Sequence, residues 1–406
     1  MTKKMYYNIL LSMTTLYYAL CFISDSLPGG QLLAIIPLSV MLFLHFRKNG
    51  FNVKLYAVVF SLYLIVFIAF CMLSRLWAQN SMLAVPKINS LIFILIAMVV
   101  IIICIYEFRD VNILLKTVMY GGYILCLYIF LRYGWSGITR LLRSNTRISS
   151  EFLNSNTIGM CVSYALVINI YYIINDGIKW KDAMMIPAVI LIIVSGSRKA
   201  IGIIAIGALG VILLKNMDNR DVVKTTLKVL LCIILFSGLV LLLSKLPAFE
   251  NITNRILNLF SLLQGNEIRS TSDAWIRLAY IRLGMDLFKS HPIKGIGIAN
   301  ANIYTNMYYG HNHYLHNNYV ELLACGGITG FMLYYSMWLY LVFIFIKYRK
   351  RRDSIYDICL VLLIIHLIMD YGAVSYYSKE TYIFLLLFWI EAKQLQGRRK
   401  RSLALR

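Results

Sequence analysis

The sequence predicts an all-α polytopic membrane protein with about twelve transmembrane helices, and two observations carry this prediction. Hydrophobic residues make up 60% of the 406 residues and charged residues only 14%, with a mean hydropathy of +0.71. Apolar runs long enough to cross a hydrocarbon core of about 30 Å recur along the whole chain. A backbone in lipid must satisfy its own hydrogen bonds, so these runs are expected to form helices rather than strands.

The predicted spans follow one another with short connections, apart from two longer loops. They cover residues 6–24, 31–46, 55–73, 91–106, 115–132, 157–175, 183–197, 199–214, 226–246, 320–346, 357–371 and 380–393. The shortest runs fall below the usual length of a span, which is about 17–25 residues. No small-residue cleavage site follows the first run, so we interpret it as a retained helix rather than a signal peptide.

The net charge of +22 is distributed in a way that indicates membrane topology rather than nucleic-acid binding. With both termini inside, 24 of the 40 lysines and arginines fall on inside segments, and most of the other 16 lie in the two long loops. Short loops carry the orientation signal, and here they follow the positive-inside rule. The basic clusters at 347–352 and 398–401 are expected to meet anionic membrane lipid. We therefore predict cytoplasmic termini, contact with membrane lipid and no nucleic-acid partner.

The predicted spans divide the chain into three parts. Residues 1–246 form a bundle of about nine spans. Residues 247–319 form a large extracytoplasmic loop that contains short helices, and residues 320–406 form the C-terminal spans and a basic cytoplasmic tail. Loops of this length in an ordered protein are usually functional or disordered, and this one is not of low complexity.

The other long loop, near residues 133–156, is rich in arginine. It contains Arg140, Arg143 and Arg147. Such a group can attract an anionic substrate, or it can face solvent and lipid headgroups. The sequence leaves both interpretations open.

One segment of the large loop has the periodicity of an amphipathic helix. It spans residues 272–289, where Ser272 can cap its start and His291-Pro292 ends it. Arg277 lies on its apolar stripe. That arginine either pairs with Asp273 or extends along the surface, or it points into a cavity, and the spacing favours neither.

Three of the six histidines lie at the end of the large loop, and they mark the candidate reaction centre. His311, His313 and His316 directly precede a predicted helix start at Asn318. Histidine is the side chain best suited to proton transfer near neutral pH. A helix N-terminus disfavours imidazolium and keeps His316 in the neutral form that a base needs. Glu321 is expected to complete a capping box at this N-terminus rather than to act as a catalyst.

The eight cysteines indicate neither disulfides nor a metal site. They are scattered singly through the predicted helices, without a CxxC motif or a His/Cys ligand spacing. We predict that they are small apolar packing residues, and that the protein uses no metal and no cofactor.

The segments HPIKGIGIANANIY and HNHYLHNNYVELLACGGITG resemble the signature of the bacterial O-antigen ligase/polymerase superfamily, the WaaL and Wzy proteins. That signature runs Arg…Pro-x-x-Gly-x-Gly…His-Asn-x-Tyr-Leu…Gly-x-x-Gly. The matching residues are Arg277, Pro292, Gly295, Gly297, His316, Asn317, Tyr319, Gly327 and Gly330. Ser195-Gly-Ser-Arg198 resembles the family's Ser-Arg hairpin, whereas Val320 replaces the usual Leu and the family's Pro is absent before Ser155-Asn156. The motifs cover about residues 140–335.

The resemblance implies a glycosyltransferase of the bacterial inner membrane with an extracytoplasmic active site. In this family, a glycan passes from undecaprenyl diphosphate to an acceptor hydroxyl without metal or nucleotide. The acceptor is another lipid-linked repeat unit for a polymerase, and the lipid A core or a similar endpoint for a ligase. We favour the polymerase of an O-antigen or capsule, because this chain keeps only the minimal motif. A chain-length regulator is then a candidate partner.

The resemblance also implies roles for individual residues. His316 would act as the general base or orient the acceptor, and Arg198 and Arg277 would bind the diphosphate. Guanidinium groups suit this task, because they match phosphate oxygens bidentately. Further candidates for substrate binding are Asn317, His313, His311, Arg147 and Tyr319.

A transporter or flippase is the main alternative from another class. Carriers place ionisable residues inside the bundle near the membrane midplane, whereas here such residues fall at helix ends. His366 and Asp370 in the eleventh predicted span are the nearest exceptions, and they can instead line an active cavity. A peptidoglycan-type polymerase would depend on a loop carboxylate, and a structural scaffold would not explain the clustered histidines and arginines.

Overall fold

A computed structural model gives the fold, and it confirms the all-α prediction for the part of the chain that it describes. Within that part there are α-helices and short 3-10 turns but no strand. The predicted span 226–246, the adjoining start of the large loop and the capping Ser272 lie outside the described residues. The described residues are 2–23, 30–50, 55–105, 108, 110–144, 146–148, 154–216 and 273–404.

Each predicted apolar run that falls in the described residues overlaps at least one helix. The helices are α1 (Lys3–Ile23), α2 (Gly30–Leu33), α3 (Ile35–Asn49), α4 (Leu55–Leu73), α5 (Val85–Ile105), α6 (Asn112–Arg143), α7 (Ser155–Asp176), α8 (Met185–Ser195), α9 (Arg198–Asn216), α10 (Asp273–Ser290), α11 (Ala301–Tyr309), α12 (Asn318–Lys347), α13 (Ser354–Met369) and α14 (Lys379–Ala404).

Within the residues that the structure describes, six segments are long and apolar enough to cross a membrane, which supports an integral membrane protein. They are Lys3–Ile23, Val58–Leu76, Ser81–Ile105, Asn112–Arg143, Ser155–Asp176 and Asn318–Lys347. The total of about twelve spans, the orientation of the termini and the side on which the large loop lies stay predictions.

The chain forms two compact units. The first contains the described parts of Met1–Met41, Asp110–Gly265 and Arg352–Ile365. In this unit α6 packs against α1, α7 and α8, while α7 also packs against α8 and α9. All seven cysteines in the described residues of the two units are buried, as expected of packing residues.

The second unit contains the described parts of Leu42–Arg109, Asn266–Arg351 and His366–Arg406. Its α4 and α14 each pack against both α5 and α12, and α10 and α11 pack against α12 and against each other. The three-part division of the chain made from the sequence stays a prediction.

The arginine-rich loop predicted near residues 133–156 is helical in its first half. Helix α6 continues to Arg143, and the chain changes direction at Gly134, where φ is 63° and ψ is 168°. This region of dihedral space is open almost only to glycine. The segment that follows the kink is helical because it still buries an apolar residue, Ile138.

Helix α12 begins at Asn318, as predicted, but it breaks at Gly327. The dihedral angles there are φ 61° and ψ −168°, again in a region that is open almost only to glycine. A break inside a buried helix leaves backbone donors and acceptors without helical partners.

A loop that follows α10, residues 292–297, supplies those partners. The break exposes two carbonyl groups before Gly327 and two amide groups after it, and the loop bonds to all four. The hydrogen bonds run from Ile296 N–H to the Ala324 carbonyl (3.0 Å), Gly297 N–H to the Cys325 carbonyl (2.9 Å), Ile328 N–H to the Pro292 carbonyl (2.8 Å) and Thr329 N–H to the Ile293 carbonyl (3.1 Å).

The glycine motif therefore has a structural purpose. A Cβ atom on Gly295 would lie 2.5 Å from the amide nitrogen of Gly327, closer than real contacts allow. Gly330 lies against the ring of Phe70 in α4, so the small residue permits close helix packing, as predicted.

Candidate functional site

His316 lies directly before α12 in the second unit, with its ring held among aromatic side chains. The ring is half-buried and stacks parallel to Tyr280 of α10, with centroids 6.0 Å apart and planes 3° apart. The Tyr314 ring lies 4.4 Å from it, centroid to centroid. The imidazole therefore rests on a flat apolar surface that limits its orientation.

The backbone of His316 is in the left-handed region, with φ 58°. Such a conformation costs a non-glycine residue roughly 1–2 kcal/mol and is often found at functional sites. Hydrogen bonds before and after His316 in the chain hold this conformation. The Leu315 N–H donates to Glu321 Oε2 (2.8 Å), and the Val320 N–H donates to Asn317 Oδ1 (3.1 Å).

The predicted capping box at Glu321 is wrong. Asn317 is the N-cap of α12, so the third helical position is Val320 and Glu321 comes one residue too late. Its carboxylate accepts instead from Leu315 and is only 2% exposed. Glu321 thus fixes the Tyr314–Leu315 peptide, one residue before His316.

Arg277 lies one helical turn before the tyrosine on which His316 stacks. It lies on α10, three residues before Tyr280, and its side chain is half-buried. Burial raises the pKa of Tyr314, and the positive charge of Arg277 acts in the opposite direction. Whether Arg277 pairs with Asp273, extends along the surface or points into a cavity stays a prediction. The side chain of Asp273, its other candidate partner, lies outside the described residues.

Lys87 is a further cation of this site that the sequence interpretation missed. It lies in the first turn of α5, and its Nζ is 3.6 Å from the ring centroid of Tyr377. The charges of Lys87 and Glu321 also interact. The sequence contained one indication of this cation. Arg75 and Lys87 lie in a short loop that is predicted to be outside, an exception to the positive-inside pattern of the short loops as a set.

Asn318 and Asp370 form a buried polar network that ties the start of α12 to the turn after α13. Asp370 accepts from Ser375 Oγ (2.5 Å), Tyr335 Oη (2.8 Å) and Asn318 Nδ2 (3.2 Å). Asn318 Oδ1 in turn accepts from the N–H groups of Ser375 (2.9 Å) and Tyr376 (3.1 Å). Because Asp370 is 4% exposed and has three donors, it holds the site's framework together.

The other predicted residues near His316 differ in their surroundings. His311 and His313 are exposed, and the His313 ring centroid lies 6.2 Å from those of both His311 and His316. Asn317 is buried and caps α12. Tyr319 donates to the Leu367 carbonyl (2.6 Å) and packs inward. The structure therefore brings Arg277 and the three histidines to one region. The functional roles of these four residues, and those of Asn317 and Tyr319, stay predictions.

His366 lies away from solvent in an aromatic cluster. It is 6% exposed, and its ring centroid is 4.2 Å from that of Phe384 and 6.0 Å from that of Trp338. This packing explains how a histidine is accommodated within an apolar helix.

Arg198 and Arg147 belong to the first unit. Arg198 is the first residue of α9, after a tight turn in which Gly196 has φ 58°. Arg147 donates from Nε to the Ser195 carbonyl (3.0 Å) and from Nη2 to Asn156 Oδ1 (3.1 Å). Arg147 therefore supports the turn that presents Arg198, an arrangement that neither sequence alternative included.

Residues 183–335 match the model of the protein family described as O-Antigen ligase. The matched stretch contains Arg198, Arg277, His316 and the whole glycine motif. No curated protein matches the chain. The match supports similarity to the O-antigen ligase/polymerase superfamily, whose members are glycosyltransferase-like enzymes of polysaccharide or lipopolysaccharide biosynthesis that act on lipid-linked glycans. It does not separate polymerase from ligase.

Proposed function

We propose that this protein polymerises undecaprenyl-diphosphate-linked oligosaccharide repeat units into a surface polysaccharide, an O-antigen or a capsule, on the outer face of the bacterial inner membrane. One observation carries the proposal. A histidine held in a left-handed conformation stacks on the ring of Tyr280, one helical turn from Arg277. Strained residues of this kind cluster at active sites.

The proposed reaction is a glycosyl transfer with His316 as the general base. His316 accepts the proton of the acceptor hydroxyl while the hydroxyl oxygen bonds to the anomeric carbon of the donor. The bond from that carbon to the diphosphate oxygen breaks, and the diphosphate leaves with the electron pair. Arg277 and Arg198 are proposed to stabilise its developing charge through guanidinium hydrogen bonds, the kind of electrostatic stabilisation that contributes most in enzymes.

A ligase is the second candidate, because the matching family is described as O-Antigen ligase. The same donor, base and leaving group would serve, and only the acceptor would change to the lipid A core or another endpoint. A flippase is less well supported, since the polar side chains described above gather at a helix start rather than along a path through the bundle.

A glycan ladder tests the proposal. Cells lacking the gene receive the wild type, His316→Ala or His291→Ala, the last being an exposed histidine bonded to Ser290 and remote from the stacked rings. Collapse to single repeat units only with His316→Ala supports the polymerase. Full-length polymer retained on its lipid carrier indicates the ligase. An unchanged ladder from an inserted His316→Ala protein removes His316 from the chemistry and restores the transporter alternative.

A further inference from the structure

Lys87 has an environment that packing alone does not explain. Its side chain is half-buried at the start of α5, and its ammonium group lies 3.6 Å from the ring centroid of Tyr377. A cation over an aromatic face gains roughly 0.5–2 kcal/mol, which offsets only part of the cost of removing an ammonium from water. A lysine in this position needs a further source of stabilisation.

No ion pair within the described residues supplies it. Among the carboxylates that the structure describes, none lies within the 4.0 Å of a salt bridge to Lys87. Glu321 attracts Lys87 over a longer distance, but its oxygens face other donors. Oε2 accepts from the Leu315 amide (2.8 Å), and Oε1 lies 3.8 Å from Cys325 Sγ. The N–H donors of Lys87 are therefore not used by Glu321.

Contacts on two sides place Lys87 and Arg277 near the start of α12. Tyr377, whose ring lies under Lys87, follows Tyr376, and the Tyr376 N–H donates to Asn318 Oδ1 (3.1 Å). Arg277 lies three residues before Tyr280, whose ring stacks on that of His316, two residues before Asn318. A multiply charged anion that bound at the start of α12 would be attracted by both cations.

We propose that Lys87 binds the diphosphate group of the lipid-linked donor, as a second cation beside Arg277. The inference rests on the proposed function for the identity of the donor, but the ligand chemistry is that of any diphosphate. Tyr377 keeps the ammonium in place, and Glu321 limits its reach without consuming its hydrogen-bond donors. A lysine suits this position because its compact charge can follow the leaving group, whereas a guanidinium fork is more rigid.

The first test uses inorganic pyrophosphate as the probe, so that it does not depend on the identity of the sugar. Affinity is measured by calorimetry on the purified full chain in nanodiscs, without divalent cations. Lys87→Met should weaken binding roughly 10- to 150-fold, the loss expected for a charge-assisted hydrogen bond, and Lys87→Arg should recover part of it. Lys379→Met is the matched control, because Lys379 also lies over an aromatic ring, 5.8 Å from the Phe93 centroid.

Two variants of Tyr377 separate a binding role from a folding role. Tyr377→Phe keeps the aromatic face and should bind pyrophosphate like the wild type. Tyr377→Leu removes that face while Lys87 remains, and it should weaken binding several-fold. Thermal melts of all variants identify any that fail to fold. If Lys87→Met fails to fold, the comparison of Tyr377→Phe with Tyr377→Leu tests the proposal in its place.

A kinetic measurement follows with the lipid-linked donor. Lys87→Met should raise the donor KM by about the factor lost in pyrophosphate affinity, with a smaller change in kcat. The proposal would be overturned if Lys87→Met, Lys379→Met and the wild type bound pyrophosphate equally well, or if the wild type did not bind it. It would also be overturned if Lys87→Met raised only the KM for the acceptor. Pyrophosphate binding that depends on Lys87 without any glycosyl transfer would overturn the proposed function and leave the diphosphate site standing.

Discussion

The break in α12 leads to a sharp prediction about Gly327. We expect Gly327→Ala to prevent most of the protein from folding, whereas Gly310→Ala should be tolerated. Both glycines have positive φ, 61° and 70°, so both substitutions cost conformational energy. The surroundings differ. Among the residues that the structure describes, none has an atom within 4 Å of a Cβ on Gly310, whereas a Cβ on Gly327 would lie 2.6 Å from the amide nitrogen of Lys294.

The magnitude follows from these contacts. Gly310→Ala should cost roughly 1–2 kcal/mol, the price of a left-handed alanine. At Gly327 the backbone region costs roughly 1–3 kcal/mol, and the loop 292–297 must also move away. Its four hydrogen bonds to α12 contribute roughly 0.5–1.5 kcal/mol each. The sum approaches the total stability of a typical domain, about 5–15 kcal/mol.

The assay is fluorescence-detected size-exclusion chromatography of both variants as fluorescent fusions in detergent, followed by thermal melts of the monodisperse peak. Gly310→Ala should give a peak near that of the wild type with a melting temperature lowered by a few degrees. Gly327→Ala should give mainly aggregate. If Gly327→Ala were as abundant and as stable as Gly310→Ala, the account of the helix break would be refuted.

Three further predictions concern the framework of the site. Glu321→Leu leaves the buried Leu315 amide without its acceptor, so it should lower stability by roughly 1–3 kcal/mol and reduce the amount of polymer per inserted molecule. Glu321→Gln keeps an acceptor oxygen and should retain most of the stability and of the polymer. Equal ladders from the two variants would contradict this role. Tyr280→Phe should leave the melting temperature unchanged or raise it, because the buried Tyr280 hydroxyl has no hydrogen-bond partner among the described residues. Tyr280→Leu should instead lower turnover by removing the flat ring beneath His316, and a normal rate would argue against the stacking. Asn318→Ala should lower the melting temperature by several degrees, since it removes four side-chain hydrogen bonds; an unchanged melt would show that the network with Asp370 contributes little.

Helix positions were predictable from the sequence because helical hydrogen bonds are local and apolar runs mark them directly. The start of α12 at Asn318 is an example, since Asn317 is a favourable N-cap. The break at Gly327 was not predictable, because its partners lie in the separate loop 292–297. An isolated glycine in an apolar run gives no sign that another segment will pair with it.

The same limit applies to the candidate site. His316 and Arg277 drew attention through residue type and motif spacing, and the structure brings them to one region. Lys87 did not, because the ring that holds it, Tyr377, is distant in the chain. The position of Glu321 was misjudged by one residue, since the capping-box spacing depends on which asparagine forms the cap.

The pairing of the loop 292–297 with the broken α12 also bears on what the glycine motif can indicate. Much of the most recognisable motif in the chain serves to fit the backbone of the loop against the broken helix. A match at these glycine positions therefore indicates a shared backbone arrangement and says nothing about the acceptor. If the proposed function holds, acceptor preference is to be sought on α10, on α11 and in the histidine segment that follows them.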